Sequence, residues 1–449
     1  MMTCFGPTRK VFRIVFVLIL FNSVALFYYF LLKLENLENG SNFVGQRAIQ
    51  KKSESQQSKH ALLQHNQPDN NINVNEMQIL IPPKEKEKVH KAKISAQKPW
   101  QQFQSGITKD FMYPKDAPYM QDLLDYLAHT EIKETRLFKS GSQFKLLFLF
   151  ADGNTGLVKP QRMKINEIYP YTNEHPFWLD PERHSAEIAS FHLDRILNFR
   201  RSVPIAGRRI NMTEDIIQKC DDKEFLDTFI KKDGNLCFIG VCVPWFCNED
   251  RAMCGVEEIM EVSVSQFLPQ APKSRYPVFD RPYPWSQGIK ESKVWKGANV
   301  CDDVFKGLQN GKDRAFLDLI DLGIFDFLIV NYDRHHYSML SQFKNESFIT
   351  LLDNGKGFGN HKKDDITFLA PVYQCCKIRR STYNRLTELS QDKKNKLSTL
   401  MRISLSRDVL SPVVNDKFLE ALDRRVKQVL ETVQTCLLDK NRESVLMDG

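Results

Sequence analysis

Between Cys4 and Cys220 the chain has no cysteine, and its ten cysteines include no C-x-x-C pair. No histidine interrupts the run Cys237, Cys242, Cys247, Cys254. Zinc ligation, which favours paired cysteines or added histidines, is therefore the weaker alternative to disulfides there. From Cys220 onward the cysteines number nine, an odd count that leaves one thiol over, and Cys220, outside the clusters, is the candidate. Strong charge imbalance is also lacking: the net charge is +8 over 449 residues, with no nucleic-acid motif beside the basic pairs Lys231-Lys232 and Arg379-Arg380. Those pairs read as solvated surface. Sustained apolar periodicity is missing from Lys33 to about Gln104, which is rich in Gln, Asn, Lys and Ser; such a stretch buries too little apolar surface to offset ordering entropy and reads as a flexible stem. Its basic run Lys84 to Lys93 reads as part of that stem, with proteolytic release as the alternative.

The remaining composition, 42% hydrophobic and 26% charged, is that of a globular protein. A single long apolar run, Ile14 to Leu32, follows Arg9, Lys10 and Arg13 and is just long enough to cross a bilayer. Positive residues on its short N-terminal side keep residues 1–13 cytosolic and place the rest in the lumen as a type II signal anchor. A cleavable signal peptide is the competing reading, and either puts the chain in the secretory pathway, where disulfides form. Sequons at Asn39, Asn211 and Asn345 fit a lumenal chain.

The pattern predicts helix between Phe111 and Phe138, strand from Gln143 to Phe150, a turn over Ala151–Gly156, and a returning strand through Leu157-Val158-Lys159-Pro160. A wide apolar stripe predicts helix between Pro181 and Phe199. The segment Glu257–Pro269 suits a hinge, Arg281–Trp295 an irregular connection, and Ala315–Leu328 a buried helix. On that helix Asp318, Asp321 and Asp326 read as surface or loop-bracing residues, and adjacent His335 and His336 as structural. A long C-terminal helix carries Phe418, Leu422, Val426, Val429 and Val433 in register.

The chemistry concentrates in Ile329–Gly359. Asp333 opens Asp-Arg-His-His, and twenty residues later Asp353 follows the apolar run Phe348–Leu352 and precedes Asn-Gly-Lys-Gly. Phosphoryl transfer needs one carboxylate by the attacking hydroxyl and another holding metal on the nucleotide phosphates, on a loop and at the next strand end. Asp333 and Asp353 are spaced for those roles; a hairpin with a solvated Asp-Arg pair is the plain alternative.

The strings DRHHY, LLDNGKGFG and FLAPVYQCCKIRRSTYNRL, with ERHSAEIASFHLDRILNFRR upstream, resemble the secretory-pathway kinase family that contains the Golgi casein kinase and the glycosaminoglycan xylosylkinase, from about Gly141 to Cys436. The resemblance implies an α+β two-lobed kinase-like fold stapled by disulfides, with a β-rich small lobe over about 106–262 and a mostly helical large lobe over 263–449. It implies bridges Cys237–Cys254, Cys242–Cys247, Cys301–Cys375 and Cys376–Cys436. ATP would meet Gln143, Lys159, Glu182, Ser265, Gln266, Phe267, Leu268, Ser338 and Asp353; manganese, or magnesium, would sit on Glu182 and Asp353; Asp333 would be catalytic. Glu187 is a weaker candidate for positioning Lys159.

NFRRSVPIAGRRINMTEDI, FKNESFITLLDNGKGFG and FLEALDRRV resemble the casein kinase branch, whose acceptors are serines in secreted proteins, often two residues before an acid. APVYQCC and the SPVV segment resemble the branch that phosphorylates xylose of the proteoglycan linkage region. The expectation is a Golgi or secreted serine/threonine kinase, with a xylosylkinase and a pseudokinase activator as alternatives. Two departures bear on the last: Ser338 stands where the family usually has a nucleotide-binding glutamate, and Val262 where a glycine is usual, while Glu182 is retained. The implied partners are secreted proteins or a proteoglycan glycan, and a homo- or heterodimer with a related kinase; no nucleic acid is expected.

Overall fold

The structure, a computed structural model, describes residues 97–164, 167, 180–268, 278–282, 293–303, 314–391 and 394–449. The expected tail, apolar span and stem, and Asn39, lie outside the described residues, apart from the last positions of the stem. Among the described residues no helix is long and apolar enough to cross a membrane.

The first described element, helix α1 (Pro99–Gly106), already packs into the core through Phe103, so the folded part starts ahead of residue 106. Between Phe111 and Phe138 only α2 (Met120–His129) is helical. The rest of that stretch departs from the helical expectation: Thr130 turns extended, and β1 (Ile132–Leu137) places Ile132 and Thr135 inward. Their β-branched side chains suit a strand. β1 pairs antiparallel with β2 (Leu146–Phe150), which pairs with β3 (Thr155–Pro160).

Helix α3 (His184–Ile196) is buried on nearly every face. It packs beside β4 (Ile205–Asn211). A three-stranded sheet of β5 (Phe229–Lys232), β6 (Asn235–Phe238) and β7 (Met253–Cys254) makes up the cysteine-dense insert. Then β8 (Ile259–Gln266) slots between β3 and β4, giving a five-stranded antiparallel sheet in the order β1-β2-β3-β8-β4. β8 is one continuous strand as far as Gln266, past residue 262, the expected end of the small lobe. Val262 is buried in β8, level with Pro160 and Arg208.

Across the connection, β9 (Val278–Pro282) gives Arg281 a strand partner in Tyr337, so the start of that segment is regular. Helix α4 (Arg314–Ile329) runs through the centre of the helical lobe. β10 (His336–Leu340) and β11 (Ile349–Thr350) complete a small sheet with β9. Helix α5 (Ala370–Cys375), β12 (Ile378–Arg379), α6 (Arg380–Gln391), α7 (Leu397–Leu405), α8 (Asp416–Asp439) and β13 (Leu446–Met447) close the lobe.

Asp318, Asp321 and Asp326 are fully buried, which corrects a surface placement and leaves bracing as their role. Arg201 lies 2.9 Å from both Asp318 and Asp321; Arg379 reaches the same two at 2.6 and 2.9 Å. Arg379 is thus a buried cation, not solvated surface. Two guanidinium groups set against two carboxylates compensate the buried charges.

All four bridges carry the pairing that the resemblance implied, and Cys220 is free and buried. Cys376–Cys436 fastens the end of α5 to α8, and Cys301–Cys375 ties the same corner to the start of the lobe. Asn211 ends β4, its side-chain oxygen accepting from the backbone of Thr213 and Glu214; Asn345 lies in the turn between β10 and β11.

Candidate active site

Helix α4 ends at Val330, held at φ 55°, a conformation that costs a β-branched residue and persists only where surroundings enforce it. They do so here: Asn331 N donates to Asp326 O at 3.0 Å, and Phe358 N to Ile329 O at 2.7 Å. The chain thereby turns sharply into Asn331–Asp333, and Asn331 Oδ1 accepts from Asp333 N at 3.1 Å. Arg334 grips Asp326 with two nitrogens, at 3.0 and 2.9 Å, and reaches Leu352 O at 2.5 Å and Asn354 Oδ1 at 2.7 Å. One buried arginine so fixes the Asp333 loop to the Asp353 turn. Asp353 itself, at φ 59°, keeps 43% of its side chain open to the cleft.

Lys159 comes from the other lobe. Its position in β3, level with Ser263 of β8, sends its ammonium to 2.6 Å from Asp353 Oδ1, 2.6 Å from Glu187 Oε1 and 3.5 Å from Glu182 Oε1. Glu187, the weaker candidate from sequence, is in fact its buried partner, and both Glu187 oxygens also accept from Asn354 N, at 3.1 and 3.2 Å. Burial pulls the Lys159 ammonium down, but the carboxylates of Asp353, Glu182 and Glu187 outweigh it and hold its pKa well above the usual lysine value. Lys159 in turn holds the Asp353 carboxyl well below the usual carboxylate range, so Asp353 is ionised at any physiological pH.

Asp333 behaves oppositely. Burial pushes its carboxyl up, with Lys356 pulling it back and Asp353 adding to the rise. Lys356, whose own pKa burial lowers, donates to Asp180 O. Glu182 is brought against the turn by Gly355: a Cβ there would meet Glu182 at 3.3 Å, and Arg183 N donates to Gly355 O at 2.8 Å.

Between the lobes lies a cleft of about 350 Å³. Lys159, Ser265, Gln266, Phe267, Leu268, Ser338 and Asp353 line it, as the sequence reading expects. Its apolar end is built by Phe267 edge-on to Phe138, with ring centroids 5.7 Å apart. The Gln266 side chain is committed to a reciprocal amide pair with Asn154, at 3.0 and 2.8 Å. Gln143 does not line the cleft; it is buried beside β2, and its side-chain oxygen has no hydrogen-bond partner among the described residues. Lys145, two residues on, lines the cleft instead. Its ammonium occupies the space beside Gly141, where a Cβ would come within 2.9 Å, and its charge acts on Asp353. Lys145 lies just ahead of β2, inside the span from Gln143 that the pattern predicts as strand. His336 lines the cleft, whereas exposed His335 folds back, Nδ1 2.6 Å from Asp333 O.

The sequence profile described as Golgi casein kinase, C-terminal, Fam20 matches residues 98–445. The chain belongs to the Fam20 family. It is 38% identical over 351 residues to the human extracellular serine/threonine protein kinase FAM20C, covering 78% of this chain and 59% of the relative, so it spans well under two thirds of that protein's length. It is 34% identical to the human glycosaminoglycan xylosylkinase over 359 residues, covering 78% of this chain and 83% of the relative. Its fold matches the crystal structure of the Golgi casein kinase with Mn/ADP bound at a TM-score of 0.72 and 32% identity, over 78% of this chain and 83% of that one. The two-lobed α+β architecture read from sequence is thus the Fam20 fold.

The donor set fits a hard divalent cation. Glu182 and Asp353 converge on one point, since a single ammonium now touches both. Carboxylate oxygens suit magnesium or manganese, which take remaining ligands from phosphates and water. Among the described residues no group of three His, Cys, Asp or Glu could hold a metal by itself.

Proposed function

We propose that the chain is a lumenal serine/threonine protein kinase that transfers the γ-phosphate of ATP to serines of secretory-pathway proteins, in acidic Ser-x-Glu contexts. The observation that carries this reading is the meeting of Lys159, Glu182, Glu187 and Asp353 beside a cleft whose lining includes Arg334, the residue after Asp333.

Glu182 and Asp353 would hold manganese or magnesium, which when bound neutralises the phosphate oxygens. Lys159, freed in part from Asp353, steadies the phosphates; Glu187 keeps it aimed. Lys145 adds a second cation on the glycine-containing loop above them. Phe138, Phe267 and Leu268 take the flat apolar base. Asp333, the carboxylate with the raised proton affinity, accepts the proton of the acceptor hydroxyl as its oxygen attacks. Catalysis is then chiefly positioning and electrostatic stabilisation.

Four disulfides support residence in an oxidising compartment. In this reading residues 14–32 anchor the chain in the Golgi membrane as a type II protein, and cleavage of the stem would secrete it. Its partners are secreted protein substrates and, for assembly, a second copy or a related kinase. A xylose acceptor is the second reading, favoured by the greater share of the xylosylkinase that the chain covers.

The deciding experiment offers casein and a xylose-containing linkage tetrasaccharide side by side to the purified protein with ATP and manganese, with Asp353→Ala as control. Labelled casein supports the protein kinase, label on sugar alone supports the xylosylkinase, and label on neither points to a pseudokinase activator.

A further inference from the structure

The small loop closed by Cys242–Cys247 is attached directly to the catalytic centre. Arg162 NH1 donates to Phe246 O at 3.0 Å, and the Lys356 ammonium lies 5.6 Å from the centre of the Phe246 ring. Lys356 is the cation acting on Asp333, so the loop stands on the side where the acceptor hydroxyl must enter, away from the Phe138–Phe267 end that takes the base.

The loop is rigid. Besides the disulfide, Phe246 N and Cys247 N donate to Val243 O at 2.8 and 3.1 Å, and the Asn248 amide donates to Pro244 O and Trp245 O at 3.0 and 3.2 Å. Yet this rigid frame, with Phe246 half-buried, turns two apolar side chains outward: Trp245 is 53% exposed and Val243 45%. A stapled loop that displays an indole rather than burying it is built for contact, since the exposed area adds nothing to folding. Cations flank it. The Arg251 guanidinium sits 5.7 Å over the Trp245 ring, and Arg162 has a buried NH2 with no hydrogen-bond partner among the described residues. A buried guanidinium nitrogen without an acceptor calls for an anion.

We propose that this loop docks the polypeptide acceptor, Trp245 and Val243 holding an apolar side chain while Arg162 and Arg251 take a carboxylate close to the acceptor serine. The assignment rests on the protein-kinase reading and adds the residues that choose among polypeptides.

The test is steady-state transfer by the full chain with ATP and manganese. The acceptors are a peptide with glutamate two residues after the serine and a neighbouring leucine, and versions carrying Gln for that Glu or Ala for that Leu. Trp245→Ala and Arg251→Ala should each raise the KM for the parent peptide about tenfold, the scale of one lost anchor, with kcat and the KM for ATP within about twofold. Arg251→Ala should no longer distinguish Glu from Gln, Trp245→Ala no longer Leu from Ala, and Arg251→Lys should recover part of the preference for Glu. Unchanged peptide KM in both Ala variants, on an enzyme that does label the parent peptide, overturns the docking role alone. Wild-type protein that labels the linkage tetrasaccharide but no peptide overturns the polypeptide acceptor and the docking role together.

Discussion

The Lys159 ammonium lies 2.6 Å from Asp353 Oδ1, joining residues 194 positions apart in the chain and on opposite lobes. The pair links the two lobes at the cleft, where the proposed function places phosphate and metal. Lys159→Met removes the cation that holds three carboxylates together. Three acidic groups then face one another with little solvent, and the Asp353 pKa rises toward, or past, the ordinary carboxylate value. The expected outcome is loss of transfer by at least about a hundredfold, the scale of one electrostatic contact to the reacting phosphate. Retention of more than a tenth of wild-type transfer would remove Lys159 from the phosphate site.

Asp353→Ala and Asp333→Ala should fail differently. The first deletes half of the proposed metal-holding pair, so titration with manganese and ADP should show binding lost. The second leaves Lys159, Glu182 and Asp353 in place, so the same titration should be unchanged while transfer falls about 10²- to 10⁴-fold, the usual worth of a positioned base. Equal nucleotide affinity in wild type and Asp353→Ala would contradict the assignment of Asp353.

A pH test of stability centres on Asp194. Its carboxylate is fully buried, accepting from Tyr113 OH at 2.8 Å and Arg201 N at 2.9 Å, yet burial outweighs those bonds and raises its pKa to about 6. A carboxyl that binds its proton more tightly folded than unfolded lends stability at low pH, which is lost as pH climbs from about 4 through about 6. The full loss is of order 3 kcal/mol at 1.36 kcal/mol per pKa unit. Asp194→Asn should therefore gain on wild type as pH rises through that window and hold a constant difference above pH 7. Denaturant midpoints at pH 4, 5, 6 and 7 decide it; a difference that does not change with pH refutes the buried-proton account.

What could be read in the sequence was what depends on local pattern. The Ala315–Leu328 stripe, the strand before Asp353 and the long final helix all announce themselves by period. Ile132–Leu137 did not, because a half-buried six-residue strand after a helix carries too few apolar positions to fix its period. Asp333 and Asp353 were legible by spacing, and Lys159 by order along the chain. Arg334 and Asn354 were not, because their work is to tie the loop to the turn across space. Arg379 was misplaced for a related reason: a basic pair looks like surface until the buried acids of α4, 58 and 61 positions earlier, come into view.

That buried four-charge cluster gives a stability prediction. Arg379→Met keeps volume but leaves Asp318 and Asp321 to Arg201, with Arg314 reaching only Asp318 at 3.5 Å, stranding negative charge in the core. Breaking one side of a buried pair costs about 3–5 kcal/mol. Denaturant unfolding of the variant should show a loss on that scale, and replacing Asp321 by Asn in the same protein should restore part of it by removing the excess charge. A loss below about 0.5 kcal/mol, the range of ordinary surface changes, would show that the cluster is solvated.

Ser338 offers the last test, and it concerns this chain's own departure from its family. Ser338 lies in β10 facing the cleft, with Thr350 Oγ1 donating to its carbonyl at 3.0 Å, so its backbone is fixed and only its side chain is open to choice. The strand neighbours that set its direction are ordered, and the Lys145 and Lys159 ammoniums line the same cleft. A glutamate grown from this position therefore enters a cationic pocket without disturbing the sheet. It can reach the nucleotide or hold a lysine for it. Ser338→Glu should tighten manganese–nucleotide binding about tenfold, the equivalent of one charge-assisted hydrogen bond of about 1.4 kcal/mol. Calorimetry with ADP and manganese reads the change directly. Tighter binding with faster transfer would mean that the serine tunes an active kinase downward, whereas unchanged affinity would show that another group, with Lys145 the first to examine, already supplies the contact.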